Sequence, residues 1–407
     1  MPSPLSGVKI LEFTHAVMGP SCGLVLADMG AEVVYVEPPG GSPTRRLKGF
    51  GTGYFPYFNR NKKSLSLDLK SDKGRQLILD MVAKADVVLE NFAPGTMERL
   101  GLDYKTLSEI NPKLVYCSMK GFLSGPYEKR TAMDEVVQMM GGLAYMTGPS
   151  GRPLRAGTSV IDITGGMFGA IAVLGALRER EQSGKGAEVK SSLFETTAFL
   201  MGQHMAWSTL SQTPIPPMPE RVSAWSVYQV FETADKPTFV GIISEKHWQS
   251  FCEQFDRKEW LERAEYASNN LRIEAREQLL PDIKRLLGEL TQEQVMASCE
   301  AGGIPFAPIA RPEDLFEDRQ LNEGQSLYEV QYPSGEQGVL PKLPIEWDGD
   351  RFPLQHQAPQ IGQHSEDVVQ DWLGLGEAEL KALVDDKILS SHKAELNNPN
   401  EGERHDA

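Results

Sequence analysis

The chain has 407 residues, 40% of them hydrophobic and 24% charged, with a formal net charge of −15. That length suits two or three domains with an ample core, and the acidity argues against a nucleic-acid backbone as partner. Cys22, Cys117, Cys252 and Cys299 form no CxxC pair, and the seven histidines form no HxxxH or Cys/His cluster. Reduced thiols in a cytoplasmic protein without a metal site are therefore expected.

The first residues, MPSPLSGVKILEF, hold no basic region ahead of a long apolar stretch, so no signal peptide is expected. Residues 8–14, VKILEFT, read as a buried strand, and GPSCGLVLADMG as a short helix closed by Gly30. AEVVYVEP is a second strand and KSLSLDL a third, alternating with period two. SDKGRQLILDMVAKA is an amphipathic helix with Ser71 as its cap. DVVLENF and LVYCSMKGF are further strands between helical stretches. The βαβα alternation predicts a parallel sheet covered on both faces, with ligands at the carboxyl ends of its strands. Where GxGxxG would stand after strand one, the chain has THAVMGPSCG, and no P-loop occurs, so neither nucleotide signature is present.

Residues 164–208 read as two long helices joined around AEVKSS, and TPIPPMPE, residues 213–220, as a proline-rich hinge. Between about 225 and 325, SVYQVFET and PTFVGIIS read as strands. HWQSFCEQF, REQLLPDIKRLLGEL and TQEQVMASCEAG read as helices, giving a smaller α+β domain. Residues 353–375 return to a helical pattern. The end, HKAELNNPNEGERHDA, is polar and expected to be disordered. No internal repeat is visible. The expected division is a large domain of 1–210 and 330–407, a linker of 211–224 and a small domain of 225–329.

Three stretches carry chemistry. In LRAGTSVIDITGGMFGAIAVLGALRER, residues 154–180, Asp162 is the one charge between Arg155 and Arg178. The apolar run after it is too short and glycine-rich to span a bilayer, so no membrane is expected. Two readings of Asp162 are open. It caps the helix that follows, or it is a nucleophile that attacks a thioester or another acyl group in a partly dry site. Gly165 and Gly166 would then let a substrate approach the main chain. The second stretch, NRNKKS at 59–64, gathers Arg60, Lys62 and Lys63, with Lys70 after it and Arg45 and Arg46 before. It is either a solvated loop or a site for a phosphorylated cofactor. The third, ENFAPGTMERLG, is either an ordinary βα loop or a cofactor contact at the ligand edge of the sheet.

Together the chain resembles the class III CoA-transferases, the family of formyl-CoA:oxalate, acetyl-CoA:oxalate, succinyl-CoA:glutarate and carnitine CoA-transferases. The resemblance runs through residues 5–41, 59–74 and 90–122, GTSVIDITGG, AGGIPFAPI and IGQHSEDV, in that order and spacing. It implies a Rossmann-like α/β large domain, a small α+β domain and an interlocked homodimer. It implies that Asp162 is the catalytic aspartate and coenzyme A, bound as acyl-CoA, the substrate, with no metal. The positions matching CoA contacts are Val17, Met18, Leu67 to Lys70, Asn91, Phe92, Ala93, Arg99 and the stretch Arg130 to Asp134, with Arg45 a further candidate. The implied reaction moves CoA from a donor thioester, succinyl-CoA or acetyl-CoA, to a small, dicarboxylic or similarly acidic acceptor through anhydride and aspartyl-CoA thioester intermediates.

Two departures bear on this. The same fold hosts α-methylacyl-CoA racemases, which place a histidine in a GHD-type stretch; here RTAMDEV puts Met133 there, which has no proton to exchange. That favours a transferase over a racemase-like isomerase, and Asp162 disfavours a catalytically idle CoA-binding subunit. The GNxHP-like loop of many family members and the glycine-rich loop of the formyl-CoA enzymes are both missing from PMPERVSAWSVYQVF, where Arg221 is a candidate partner for a second acidic group on the acceptor or an ordinary surface arginine. His15, at the mouth of the first strand, is expected near the cofactor in an ordering role.

Overall fold

Residues 10–13 are all buried and, Glu12 apart, apolar; Lys9 ahead of them is half-buried. A run buried on both faces belongs in a parallel sheet covered on each side. The computed structural model, which describes residues 3–221, 223–332 and 335–392, builds that sheet. Its strands are β1 (Lys9–Phe13), β2 (Glu32–Glu37), β3 (Lys62–Leu67), β4 (Val87–Glu90), β5 (Val115–Lys120) and β6 (Ala187–Ser192). They lie in the order β3-β2-β1-β4-β5-β6, all parallel. The order reverses direction between β1 and β4, which opens a crevice at their carboxyl ends. The principal helices of this unit are α1 (Met18–Asp28), α2 (Asp72–Val82), α3 (Asp134–Met140), α4 (Val160–Ser183) and α5 (Leu193–Ser211). Ser71 caps α2 by accepting from the Gly74 amide at 3.0 Å.

The chain divides into two units. One takes residues up to Pro219 and from Glu323 onward; the other is Glu220–Asn322. The linker expected at 211–224 straddles this division. In the smaller unit β7 (Val227–Phe231), β8 (Thr238–Ile242) and β9 (Phe306–Pro308) form an antiparallel sheet. Against it pack α6 (Glu245–Gln254), α7 (Arg276–Gly288) and α8 (Gln292–Ala301), around Trp248, Phe251, Trp260 and Tyr266.

Three local expectations are corrected. AEVKSS is not a helix join but β6, an edge strand paired to β5. The helix expected from 164 starts at Val160, which places Asp162 in its first turn. Of residues 353–375, only α9 (Ser365–Leu373) is helical; the run before it is held along β3, with the Gln355 and His356 amides on Asn61 Oδ1 at 2.7 and 3.0 Å. Beyond these, a strand that no expectation covered, β10 (Leu389–Ser390), adds antiparallel to β3 at the far edge. From residue 393 the polar end expected to be disordered lies outside the described residues.

α4 is long and apolar enough, by length and composition, to cross a membrane. In the structure one of its faces is core: Ile161, Gly165, Gly166, Gly169, Ala170 and Val173 are buried. The other exposes Met167 and Ile171, and neighbouring α5 exposes Phe199, Met205 and Leu210.

Under the sheet sits a buried ion pair. Lys62 on β3 donates to Glu12 on β1 at 2.8 Å, to the Pro20 carbonyl at 3.0 Å and to Asn59 Oδ1 at 3.1 Å. Both side chains are fully buried. Burial pushes the Glu12 carboxyl up and the Lys62 ammonium down, and each partner opposes the other's displacement.

Candidate active site

Asp162 faces a cleft of about 520 Å³ at the carboxyl ends of β1, β4 and β5. Three short segments line it as they leave the sheet: His15–Met18 after β1, Asn91–Pro94 after β4, and Lys120–Gly121 after β5. Residues 130–136, with Arg155 and Ser159, close another side. The loop after β1 is clamped at two points. The His15 amide donates to Asn91 Oδ1 at 2.9 Å, and Asn91 Nδ2 donates to the His15 carbonyl at 3.0 Å. The Phe92 ring lies 5.8 Å from the His15 ring, and burial lowers the proton affinity of His15.

Asp162 does not cap its own helix. Ser159 is the N-cap residue and makes no side-chain cap bond. The exposed first-turn amides are taken instead by Asp134, the first residue of α3: its Oδ1 accepts from Ile161 at 2.8 Å and from Asp162 at 3.1 Å. Its Oδ2 accepts from Gln138 Nε2 at 2.5 Å and lies 3.8 Å from Arg155 Nη2. Arg155 also pairs with Glu135. Burial and the nearby Asp134 carboxylate push Asp162 up to about 7, against the pull of the Arg155 guanidinium. A carboxyl so placed exchanges between acid and carboxylate near neutrality.

The structure brings Val17, Met18, Asn91, Phe92, Ala93, Arg130 and Asp134 to the same cleft as Asp162. Lys70 and Arg99 are exposed beyond the carboxyl ends of β3 and β4, outside the lining. The other candidates are placed differently. The Leu67 side chain is fully buried in the core, which leaves only its main chain for a ligand. Arg45 is committed to protein: its guanidinium donates to Glu37 at 2.6 and 2.8 Å and to the Pro359 carbonyl at 2.9 Å, and stacks 3.6 Å over Phe55. Asp134 is buried with both oxygens engaged by the protein, so it holds helix rather than cofactor. Gly165 and Gly166 give room to a neighbouring helix, not to a substrate. A Cβ on Gly166 would meet the Met18 carbonyl oxygen at 2.4 Å and Ser21 Cβ at 2.7 Å, and one on Gly165 would meet Met18 Cε at 2.9 Å. The basic stretch at 59–64 is no phosphate site either, because Arg60 pairs with Asp28 at 2.8 Å, Lys62 with Glu12, and Lys63 with Glu32 at 2.7 Å. Arg221 lies in the smaller unit.

Sequence reasoning gave no role to Gln138, Glu135 or Lys120, nor to Arg155 beyond its position. The i,i+4 spacing of Asp134 and Gln138 was a usable signal, since it puts both on one helix face. Lys120 donates to Glu90 and to the Phe92 carbonyl, both at 2.6 Å, which fixes the end of β4. Among the described residues no group of three or more His, Cys, Asp or Glu side chains is placed to hold a metal ion.

Residues 5–365 match the family model described as CoA-transferase family III. An acyl-CoA transferase of Fusarium pseudograminearum is 32% identical over 95% of this chain and 88% of its own length. The human succinyl-CoA:glutarate CoA-transferase is 28% identical over 96% of this chain and 91% of its own. A CAIB/BAIF family protein from Brucella suis superposes with a TM-score of 0.81, at 28% identity, over 91% of this chain and 100% of that one.

Proposed function

The chain belongs to CoA-transferase family III and is a CoA-transferase, and on that premise we propose that it moves CoA from succinyl-CoA or acetyl-CoA to a small, dicarboxylic acid through covalent intermediates on Asp162. The observation that carries this reading is the Asp162 carboxyl, held by the first turn of its helix in the lining of a cleft, with a proton affinity near neutrality. A nucleophilic carboxylate needs that combination of exposure to substrate and shelter from water.

The Asp162 carboxylate attacks the donor's acyl carbon. A C–O bond forms, the C–S bond breaks, and CoA thiolate leaves behind a mixed anhydride. The thiolate then attacks the Asp162 carbonyl, releasing the donor as its carboxylate and leaving an aspartyl-CoA thioester. The acceptor carboxylate attacks that thioester and displaces CoA thiolate again. Return of the thiolate to the acceptor's acyl carbon gives the new CoA thioester and restores Asp162. No net proton enters or leaves, so one group that ionises near neutrality suffices.

Val17, Met18, Asn91, Phe92, Ala93 and Arg130 are the CoA contacts in this reading, and exposed Lys70 and Arg99 supply positive charge for its phosphates. The Ile161 and Asp162 amides of α4 are not the oxyanion donors in this reading, because Asp134 already accepts from both. The exposed apolar faces of α4 and α5 support a homodimer, which we place in the cytoplasm. The glutarate named for the human relative is a reasonable first acceptor to try.

The test is a donor–acceptor screen of the purified protein, read by mass spectrometry of CoA thioesters. Exchange by the native chain and none by Asp162→Ala is the expected result. Unimpaired exchange by Asp162→Ala contradicts the mechanism. α-Deuterium incorporation without acyl transfer identifies a racemase-like enzyme instead, a reading disfavoured by Met133, which lines the cleft without a proton to exchange.

A further inference from the structure

We infer that Asp134 is a positioning residue of the transfer reaction: through two main-chain hydrogen bonds it fixes the first turn of α4, and with it the Asp162 carboxyl, from within a brace made by Gln138 and Arg155. The helix leaves its first amides without partners inside the chain segment that precedes it, since Ser159 makes no side-chain cap bond. Asp134 closes that gap from a different helix, α3, and one oxygen serves both Ile161 and Asp162. The second bond is made to the main chain of the nucleophile itself, so a movement of α3 is passed directly to it.

The brace is complete on the other side. Gln138, fully buried, donates to Asp134 Oδ2, and its own Oε1 accepts from the Ala156 amide at 2.9 Å. Arg155 approaches the same oxygen and is itself held by Glu135 and by its bond to the Ala156 carbonyl at 3.0 Å. The segment entering α4 is thereby tied to α3 at Ala156, Ile161 and Asp162. Preorganisation of this kind matters because a displacement of about 1 Å at a reacting group costs roughly 10²-fold in rate.

Asp134 also acts as a charge. It raises the proton affinity of Asp162, while Arg155 lowers it. His15, Lys120, Glu128, Arg130 and Glu135 line the same cleft. Of the charged groups around Asp162, Asp134 is the one that is bonded to its backbone.

The kinetic part of this inference rests on the reading of Asp162 as nucleophile; the structural part does not. The experiment therefore reads both. Carbodiimide labelling of the protonated Asp162 carboxyl, followed by peptide mass spectrometry across pH, reports its titration without turnover. Asp134→Asn keeps an oxygen for the amides and removes the charge, so the labelling midpoint falls by about one pH unit. Asp134→Ala removes both, and with a succinyl-CoA donor kcat falls by about 10- to 100-fold while KM changes less than about three-fold; Asp134→Asn recovers most of that kcat. A labelling midpoint unmoved in Asp134→Asn overturns the inference, as does a folded Asp134→Ala protein with unchanged kcat. Should Asp134→Ala fail to fold, the Asp134→Asn midpoint alone decides. Exchange at the native rate by Asp162→Ala would remove the nucleophile reading and leave the labelling result to stand or fall independently.

Discussion

The carbonyl oxygen of Met18 lies 2.4 Å from the point that a Cβ on Gly166 would occupy. At these residues α4 packs directly on α1, and Met18 lines the cleft that Asp162 faces. A glycine is required there because the obstacle is main chain, which cannot turn aside as a side chain can.

Gly166→Ala therefore destabilises the protein, by about 1–3 kcal/mol. Gly175, in the same helix, has nothing within 4 Å of its missing Cβ and is exposed. Gly175→Ala stabilises by roughly 0.5–1 kcal/mol. Denaturant unfolding of the two variants side by side checks that the signs are opposite.

The Asp162 carboxyl must be ionised to attack, and burial with the Asp134 charge holds it up to about 7. In the pH dependence of kcat/KM, activity rises with pH through a midpoint near that value and is lost below it. A midpoint in the ordinary carboxylate range, near 4, would mean that the cleft is wetter than the structure indicates.

The same displacement has a stability cost. The folded-state proton affinity of Asp162 exceeds the ordinary value of 3.8, so between about 4 and 7 the folded chain binds more protons than the unfolded one. Its contribution then worsens as pH rises through that window and is fully adverse above it. Asp162→Asn is expected to be more stable than the native chain at pH 8, by roughly 1–4 kcal/mol, and to lose that advantage at pH 4. Thermal unfolding at the two pH values measures the difference.

Lys62 and Glu12 are both fully buried. Lys62→Met leaves the Glu12 carboxylate in a central strand without its cation, a loss of about 3–5 kcal/mol. Because Glu12 then takes up a proton more readily in the folded state than in the unfolded one, the defect deepens as pH rises from the ordinary carboxylate range. Adding Glu12→Gln to Lys62→Met restores part of the loss, which a double-mutant cycle in denaturant resolves.

Much of this site was legible in the sequence. β1, β2, β4 and β5 announce themselves by largely apolar runs too short for helices and β3 by its period-two alternation, and the lone Asp162 ahead of an apolar helix marks the site. What was not legible shares one physical cause: a residue's partner lies far away along the chain. Gly165 and Gly166 signal close approach, but a helix and a substrate ask for the same glycine. Arg60, Lys62 and Lys63 read as a basic loop until Asp28, Glu12 and Glu32 are brought beside them. Asp134 reads as a cofactor contact until α4 arrives to use its oxygens. β6 and β10 are edge strands, whose pattern carries little of the burial that identifies a central one.

The central claim is that CoA passes through a covalent bond to Asp162. The most direct measurement is mass spectrometry of the protein quenched in acid after incubation with donor acyl-CoA, followed by peptide mapping. The expected result is a mass gain of one CoA less one water, located on the peptide containing Asp162 and absent from Asp162→Ala. Rapid turnover with no adduct at Asp162, together with full activity of Asp162→Ala, would contradict it.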